Sequence, residues 1–499
     1  MSAIALLQPA DIARVEASAR DVVPGSLMLR AGRSVARVAR AMAADTGDAI
    51  LVVAGPGNNG GDAWVAAAAL REDFHRVVVL DAKGTEPRAA EAREAKASFL
   101  RARGEVVRAW PEGLQLALVV DGLLGIGLAR DVEADVATLI ARINECAAPV
   151  LAIDVPSGLD ASTGRVRGAA VAATRTLTFI AGKPGLYTLD GPDLCGEVEV
   201  DSLECDTLVL QCPHGDLLDV DAVASWMPRR KRNTHKGSFG SVGIIGGTRG
   251  MVGAALLAAR AALLAGAGKV RAGLLSPEAP AADALQPELM LGTVDDAMEM
   301  DVLVGGPGAG RSPSATSVSM FERTVMTALA AAAKPLVLDA DGLNALAFNG
   351  ELARAVAARK APTVLTPHPA EAGRLLGSST ADVQADRVRA ALELARRFHA
   401  AVVIKGAGSV CAFHDGAWSI NATGNPGLAS AGNGDVLSGM VGAMLAQGLE
   451  PWRALQLAVC LHGAAGDACV ARGVGPVGLT ASEVALEARA LLNAWCARR

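Results

Sequence analysis

The chain has 499 residues, 51% hydrophobic and 20% charged, a globular composition that excludes disorder and is ample for two cores. Its 47 Lys and Arg face 52 Asp and Glu, a net charge of −5, so the protein as a whole has no attraction for nucleic acid or an anionic membrane. Aromatic residues, at 3%, are too few for a base-stacking platform, while 55 glycines suit close helix–sheet packing and loops that approach phosphates.

The opening residues carry no basic segment ahead of an apolar one, and Asp11 and Arg14 follow early, so a secretion signal is not expected. Apolar runs such as Met251 to Ala259 are short and closed by charge at Arg260, which argues against a membrane helix. The 8 cysteines form no Cys-x-x-Cys and the 7 histidines show no metal-ligand spacing. Reduced thiols in a cytoplasm are the expectation, and the sequence leaves monomer and homo-oligomer both open.

In the first half, Ala49 to Ala54, Arg76 to Asp81, Leu116 to Asp121, Val150 to Asp154 and Thr176 to Ile180 read as buried strands. Ala63 to Leu70 and Asp131 to Asn144 have helical period. This alternation predicts a parallel, doubly wound sheet, whose ligands sit outside the carboxyl ends of the strands. Ala54-Gly55-Pro56-Gly57-Asn58-Asn59-Gly60-Gly61-Asp62 leaves the first strand as a Gly-rich loop and enters a helix, where backbone N–H groups favour an anion. Asp121 and Asp154 stand at two further strand ends; each alone would be a cap or an Asx-turn, but together with the Asn loop they outline a polar pocket. Oxygen donors from Asn59, Asp121 and Ser157 would suit a hard cation. Lys183 reads first as a surface lysine after its strand, with a part in proton transfer as the alternative.

The periodicity breaks between about Thr207 and Lys236, where the basic run Arg229-Arg230-Lys231-Arg232 reads as a solvated junction. Domains are therefore placed at 1–217 and 218–499. In the second, strands are expected at Ser241 to Ile245, Asp301 to Gly305, Pro335 to Asp339, Pro362 to Thr366, Ala401 to Ile404 and Ser409 to Phe413, with helices closing the chain. Gly424 to Gly439 ends a glycine loop at a helix start, so backbone donors of Ala431 to Gly434 would surround a transferring phosphoryl group and Asp435 would accept a proton. A Lys-Gly turn at Lys405, Gly406, Ala407, Gly408 and Ser409 suits nucleotide phosphates, whereas His368, before Pro369, reads by itself as a turn residue. No Gly-x4-Gly-Lys-Ser/Thr motif occurs, which disfavours a P-loop enzyme.

The motifs from Leu27 through Gly32, Pro56 to Asp62, Asp121 to Leu128 and Asp154 to Asp160 resemble the NAD(P)H-hydrate epimerase domain. That resemblance implies a Rossmann-like fold, a potassium ion on Asn59, Asp121 and Ser157, and recognition of the hydrated nicotinamide of NADHX or NADPHX. It puts the hydrate against Asn58, Asn59, Gly60, Gly61, Asp62, Gly125, Ile126, Gly127, Leu128, Ala129, Arg130 and Asp131, with Asp154 at the reacting ring. Ile126, where Thr is common, and Leu29, where a carboxylate is common, depart from the pattern.

The second half, through His235 to Gly240, Met251 to Ala255, Gly306 to Gly308, Leu338 to Asn344, Thr366 to Glu371, Lys405 to Ala407 and Gly424 to Gly439, resembles the ADP/ATP-dependent NAD(P)H-hydrate dehydratase, a ribokinase-like α/β fold. This implies hydrate contacts at Ala254, Gly308, His368 and Asp435, nucleotide contacts at Lys405 to Ser409 and Gly434, ADP as co-substrate, and Mg2+ travelling with it. Asn433 stands where that family usually has Thr or Ser. The residues themselves leave ADP and ATP open. A bifunctional repair enzyme is the leading expectation. The alternative is a ribokinase-like small-molecule kinase fused to a non-catalytic nucleotide-binding domain.

Overall fold

Runs of Val, Leu and Ile without internal polar breaks become strands covered on both faces. β1 (Ala49–Ala54) is buried at every position, with Ile50, Val52 and Ala54 in one apolar cluster and Ala49, Leu51 and Val53 in the other. That split is the two-residue period of a strand sandwiched between helices. The computed structural model describes residues 4–497 apart from 24, 44–46, 74, 82–83, 85, 88, 129, 210, 213 and 311–320. Contacts divide the chain into two units, Ile4–Asp216 and one containing Leu217–Arg499.

In the first unit β1 is joined by β2 (Val77–Leu80), β3 (Glu105–Val107), β4 (Leu116–Gly122), β5 (Val150–Ile153), β6 (Arg175–Phe179) and β7 (Glu197–Asp201). The sheet is parallel throughout and runs β3-β2-β1-β4-β5-β6-β7. The chain reverses its direction of travel between β1 and β4, which opens a crevice at their carboxyl ends. Helices Leu27–Met42 and Asn58–Glu72 pack closely because Gly32 faces Val65 and Gly61 faces Met28 with no room for a side chain. Trp64, 2% exposed and edge-on to Phe99, anchors this layer; truncating it to Ala would cost about 3–5 kcal/mol.

The second unit contains β8 (Ser241–Gly246), β9 (Lys269–Leu274), β10 (Met290–Gly292), β11 (Val302–Gly305), β12 (Leu336–Leu338), β13 (Thr363–Leu365), β14 (Ala401–Ile404), β15 (Ser409–Ala412) and β16 (Trp418–Asn421). These run β16-β15-β14-β13-β12-β11-β8-β9-β10, parallel except for the β14–β15–β16 meander. The travel reverses between β8 and β11, so the loops after β8, β11, β12, β13 and β14 gather at one sheet edge. Helix Asn433–Ala446 lies against helix Val252–Leu264, where Gly439 lets the Ala258 carbonyl approach. Helix Pro451–Ala471 is long and apolar enough to cross a membrane, but 67% of its apolar window is buried and its residues belong to the core cluster of this unit.

The strands expected from sequence all form within a residue or two, whereas β3, β7, β9 and β16 carry charges or polar groups that hide their period, and β10, only Met-Leu-Gly, is too short to show one. Arg271 of β9, for instance, pairs with Asp296 at 3.1 Å. Within the exposed basic run, Arg230 donates to the Gly266 carbonyl (2.7 Å) and Gln447 (2.8 Å) and lies over the Phe239 ring. It is a local clamp.

Candidate active sites

The turn after β1 is Gly55-Pro56-Gly57, and Asn58 already begins helix Asn58–Glu72, so Asn58 to Asp62 form a helical first turn rather than a loop. Side chains added at Gly60 or Gly61 would strike the Gly55 backbone or Met28, so these two glycines serve close packing. Asn58, Asn59 and Asp62 line a cavity of about 670 Å³ with Gly125, Ile126, Gly127, Leu128, Arg130, Asp154 and Lys183. Asp131 is exposed and not part of that lining, and Ala129 lies outside the described residues.

Asp154 follows β5 with φ +65°, a left-handed conformation that an aspartate adopts only where its surroundings hold it. Its N–H donates to the Leu177 carbonyl (2.7 Å), and its Oδ1 accepts from Lys183 Nζ (2.6 Å) and Thr178 Oγ1 (3.1 Å). Lys183 also donates to Thr178 Oγ1 (2.7 Å) and the Phe179 carbonyl (2.8 Å) and is 0% exposed. The reading of Lys183 as a surface residue is thus corrected: Ile180, at φ +69°, turns the chain inward after β6. The burial of Lys183 is tolerated because all three Nζ donors are used, one on a carboxylate. Two further carboxylates face the cavity. Asp62 is pushed well above the usual carboxylate range, first by burial and then by Asp154 and Glu16.

Asp121, at the end of β4, is fully buried and accepts from Ser157 N (2.8 Å), Ser157 Oγ (2.6 Å) and Leu123 N (3.2 Å). Burial raises its pKa against the opposing effect of those hydrogen bonds. No Lys, Arg or His among the described residues pairs with it. Asn59 Nδ2 donates to the Leu124 carbonyl (2.7 Å), and Leu124 N donates to Ser157 Oγ (2.8 Å), which joins Asn59, Asp121 and Ser157 into one oxygen-rich node.

In the second unit, Asp339 follows β12, is 1% exposed, and accepts from Lys405 Nζ (2.8 Å) and Thr366 Oγ1 (2.8 Å). The adjoining Ala340 has φ +47°, and a side chain at Gly306 would strike the Asp339 carbonyl, so this turn is held tightly. Burial would lower the Lys405 pKa, but Asp339, Glu371 and Asp435 outweigh it and hold the ammonium up. A side chain at Gly434 would meet Lys405 Nζ and approach Asp339, so the bare helix start leaves open space at the ammonium. Asp435, in the first turn of helix Asn433–Ala446, is pushed up to about 7 by burial and by Asp339 and Asp341, against the pull of Lys405. Gly308 lies against Met251 and Ala254, and Gly310 N donates to Asp341 (2.9 Å), which draws the loops after β8, β11 and β12 together.

His368 is indeed a turn residue: it caps helix Pro369–Leu376, its Nδ1 accepting from Ala370 N (3.1 Å). It also faces the site. Burial, Lys405 and Arg374 lower its pKa, and its Nε2 lies 3.3 Å from Glu371, which burial lifts to about 7. Lys405 to Ser409 form the β14–β15 turn, closed by Ser409 Oγ donating to the Gly406 carbonyl (3.0 Å). Asn433 donates through Nδ2 to Ser430 Oγ (2.8 Å), and its buried Oδ1 has no partner.

A family model described as NAD(P)H-hydrate dehydratase matches residues 242–485, and one described as YjeF-related protein N-terminus matches residues 24–185. The bifunctional NAD(P)H-hydrate repair enzyme of Escherichia coli is 38% identical over 496 residues, covering 97% of this chain and 93% of that protein. The chain belongs to the bifunctional NAD(P)H-hydrate repair enzyme family. The Coxiella burnetii member is also 38% identical, over 94% of both chains. The Bacillus subtilis ADP/ATP-dependent NAD(P)H-hydrate dehydratase, co-crystallised with ATP/Mg2+, is 27% identical with a TM-score of 0.47, covering 56% of this chain and 98% of that one.

Glu16, Asp339 and Glu371 were not among the candidates of this repair-family chain. Glu16 comes from helix Pro9–Val22, remote in sequence from the Gly-rich turn, and nothing in its local pattern marks it. Asp339 and Glu371 lie inside the Leu338–Asn344 and Thr366–Glu371 motifs, where the signal was a strand end for Asp339 and, for Glu371, a carboxylate in a helix first turn three residues after His368.

Proposed function

We propose that this protein repairs hydrated nicotinamide cofactors at two centres. Residues 1–217 interconvert the R and S forms of NADHX and NADPHX, and residues 218–499 convert the S form to NADH or NADPH as ADP becomes AMP and phosphate. The observation that carries this reading is Asp435, held near neutrality at a bare helix start beside Lys405, in a chain that also holds the Asp154–Lys183 cavity.

The hydrate is a hemiaminal with its hydroxyl beside the ring nitrogen, so its stereocentre inverts by reversible C–O cleavage or ring opening. Either route needs a group that moves a proton on and off that oxygen, the role assigned to Asp154, with Lys183 and Thr178 fixing its carboxylate. The Asn59, Asp121 and Ser157 node fits potassium, because its donors are oxygens and the buried Asp121 has no cationic side chain against it among the described residues. Potassium there would neutralise Asp121 and order the Leu124 turn that borders the cavity.

At the second centre, Asp435 takes the proton of the C6 hydroxyl as that oxygen attacks the terminal phosphorus of ADP. The new P–O bond forms as the bond to AMP breaks, with N–H groups at the start of helix Asn433–Ala446 facing the transferred phosphoryl. The ring-nitrogen lone pair then expels phosphate, and loss of the C5 proton restores the dihydronicotinamide. No group of three or more His, Cys, Asp or Glu able to hold a metal occurs among the described residues, so Mg2+ would enter on the nucleotide's phosphates. Eight free cysteines fit a reducing cytoplasm.

The test mixes full-length protein with racemic NADHX, with and without ADP, and follows dihydronicotinamide absorbance and AMP release. Recovery of both epimers with ADP is expected. Recovery that stalls near half would remove the epimerase assignment, and none with ADP or ATP would remove the dehydratase assignment.

A further inference from the structure

The half-buried and buried arginines of the second unit differ in how their charge is met. Arg260 forms a two-pronged pair with Asp283, both contacts at 2.7 Å. Arg359 has no carboxylate partner among the described residues, but spends its donors on Thr363 and on the carbonyls of Leu329, Ala330, Ala332 and Lys334. Arg387, 4% exposed, has no such set of acceptors. Among the described residues it donates to the Ala407 carbonyl alone, its Nε is buried without a partner, and no carboxylate pairs with it.

Its position makes the bare charge costlier. Arg387 is the first residue of helix Arg387–Phe398, at the positive end of the helix dipole, where a cation is disfavoured. Its neighbour Asp386 gives no relief, because that carboxylate caps the helix by accepting from Arg389 N (2.9 Å). Burial alone lowers its pKa to about 10. The guanidinium lies against the Lys405–Ser409 turn: a side chain at Gly406 would run into it, and Gly406 has φ +147°. An uncompensated buried cation is strongly unfavourable unless an anion completes it, and a guanidinium matches phosphate in shape and charge.

We propose that Arg387 is a positioning and charge-supplying residue of the nucleotide site: it holds the Gly406–Ala407 turn and attracts the phosphates of a nucleoside diphosphate. This rests on the reading that Lys405 to Ser409 bind the nucleotide.

The experiment compares full-length wild type, Arg387→Met and Arg387→Lys for binding of adenosine, AMP and ADP by calorimetry, with thermal melting alongside. For Arg387→Met, ADP affinity should fall about 10- to 100-fold, AMP affinity less and adenosine affinity least, the range expected for a lost charge-assisted contact. Arg387→Lys should recover part of the ADP affinity. Melting of Arg387→Met without nucleotide should not drop, since an unpaired buried charge has gone, but its ADP-induced rise should shrink. An equal loss for adenosine and ADP, or a lower melting temperature with ADP affinity retained, would make Arg387 structural only and overturn the proposal. Wild type that binds neither ADP nor ATP would instead sink the nucleotide reading of Lys405 to Ser409.

Discussion

Each unit places a lysine–aspartate pair at the carboxyl end of its sheet, and the two lysines face different tasks. In the first, Lys183 is wholly buried and bonds the proposed reacting carboxylate, Asp154, at 2.6 Å. In the second, Lys405 bonds Asp339 at 2.8 Å and leaves Asp435 without a direct ion pair among the described residues, lifted to about 7. On the proposed function, the same residue pair would orient a proton carrier in one site and, in the other, set up the field around a separate base. Inversion returns the proton it takes, so a fixed, paired carboxylate suffices. Phosphoryl transfer needs a base that is matched to neutral pH and stands beside an open helix start.

The largest effect that would sharpen this contrast is expected from Asp435→Asn. Nucleotide-dependent recovery of NADH should fall by roughly 10²–10⁴-fold while R/S interconversion, followed by chromatography of the epimers, is unchanged. Wild-type recovery would remove Asp435 as the base. Next, Asp154→Ala should confine recovery to one epimer of a racemate, and prompt use of both would sink its assignment. Lys183→Met should slow inversion and also lower unfolding free energy by about 3 kcal/mol, because Asp154 loses its buried partner. A full-speed variant would break the comparison of the two lysines.

The pH dependence has opposite signs for activity and stability. Asp435 has its folded pKa raised above the unfolded 3.8 to about 7, so dehydration should slow as pH falls below about 7 and the base gains its proton. Between those two values the native state binds more protons than the unfolded one, so this group's contribution to stability falls as pH rises. Asp435→Asn should accordingly raise the melting temperature at pH above about 7 and not at acid pH, in calorimetric scans. A variant that melts lower at alkaline pH would contradict the buried, raised carboxylate.

Replacing potassium by a bulky ammonium salt should lower the melting temperature of the wild type. In Asp121→Asn that salt dependence should be lost, since the buried negative charge is gone. Equal salt dependence in both proteins would separate Asp121 from the cation. The smallest effect is expected from Asn433→Thr. The side chain bonds Ser430 within its own turn, so the KM for ADP should change by less than about threefold, the scale of one modest hydrogen bond.

From the sequence alone, β-branched runs located β1, β4, β5 and the central strands of the second sheet, because strands buried on both faces must be continuously apolar. Strand-end Gly, Asp and Asn residues marked where the two candidate sites lie, since tight turns and polar pockets draw on the same few residue types. β9 stayed hidden, as Lys269 and Arg271 interrupt its pattern, and so did Glu16, whose helix reaches the cavity from far along the chain. Only the tertiary structure decided that Lys183 is buried on Asp154, that Gly60 and Gly61 serve packing, and that Lys405 pairs with Asp339 rather than Asp435. It alone left Arg387 beneath Gly406 with no carboxylate partner among the described residues. The reason is physical: burial and partnership are properties of three-dimensional neighbours, and a lysine or arginine has the same local sequence signature whether its charge ends in water, on a carboxylate or on none.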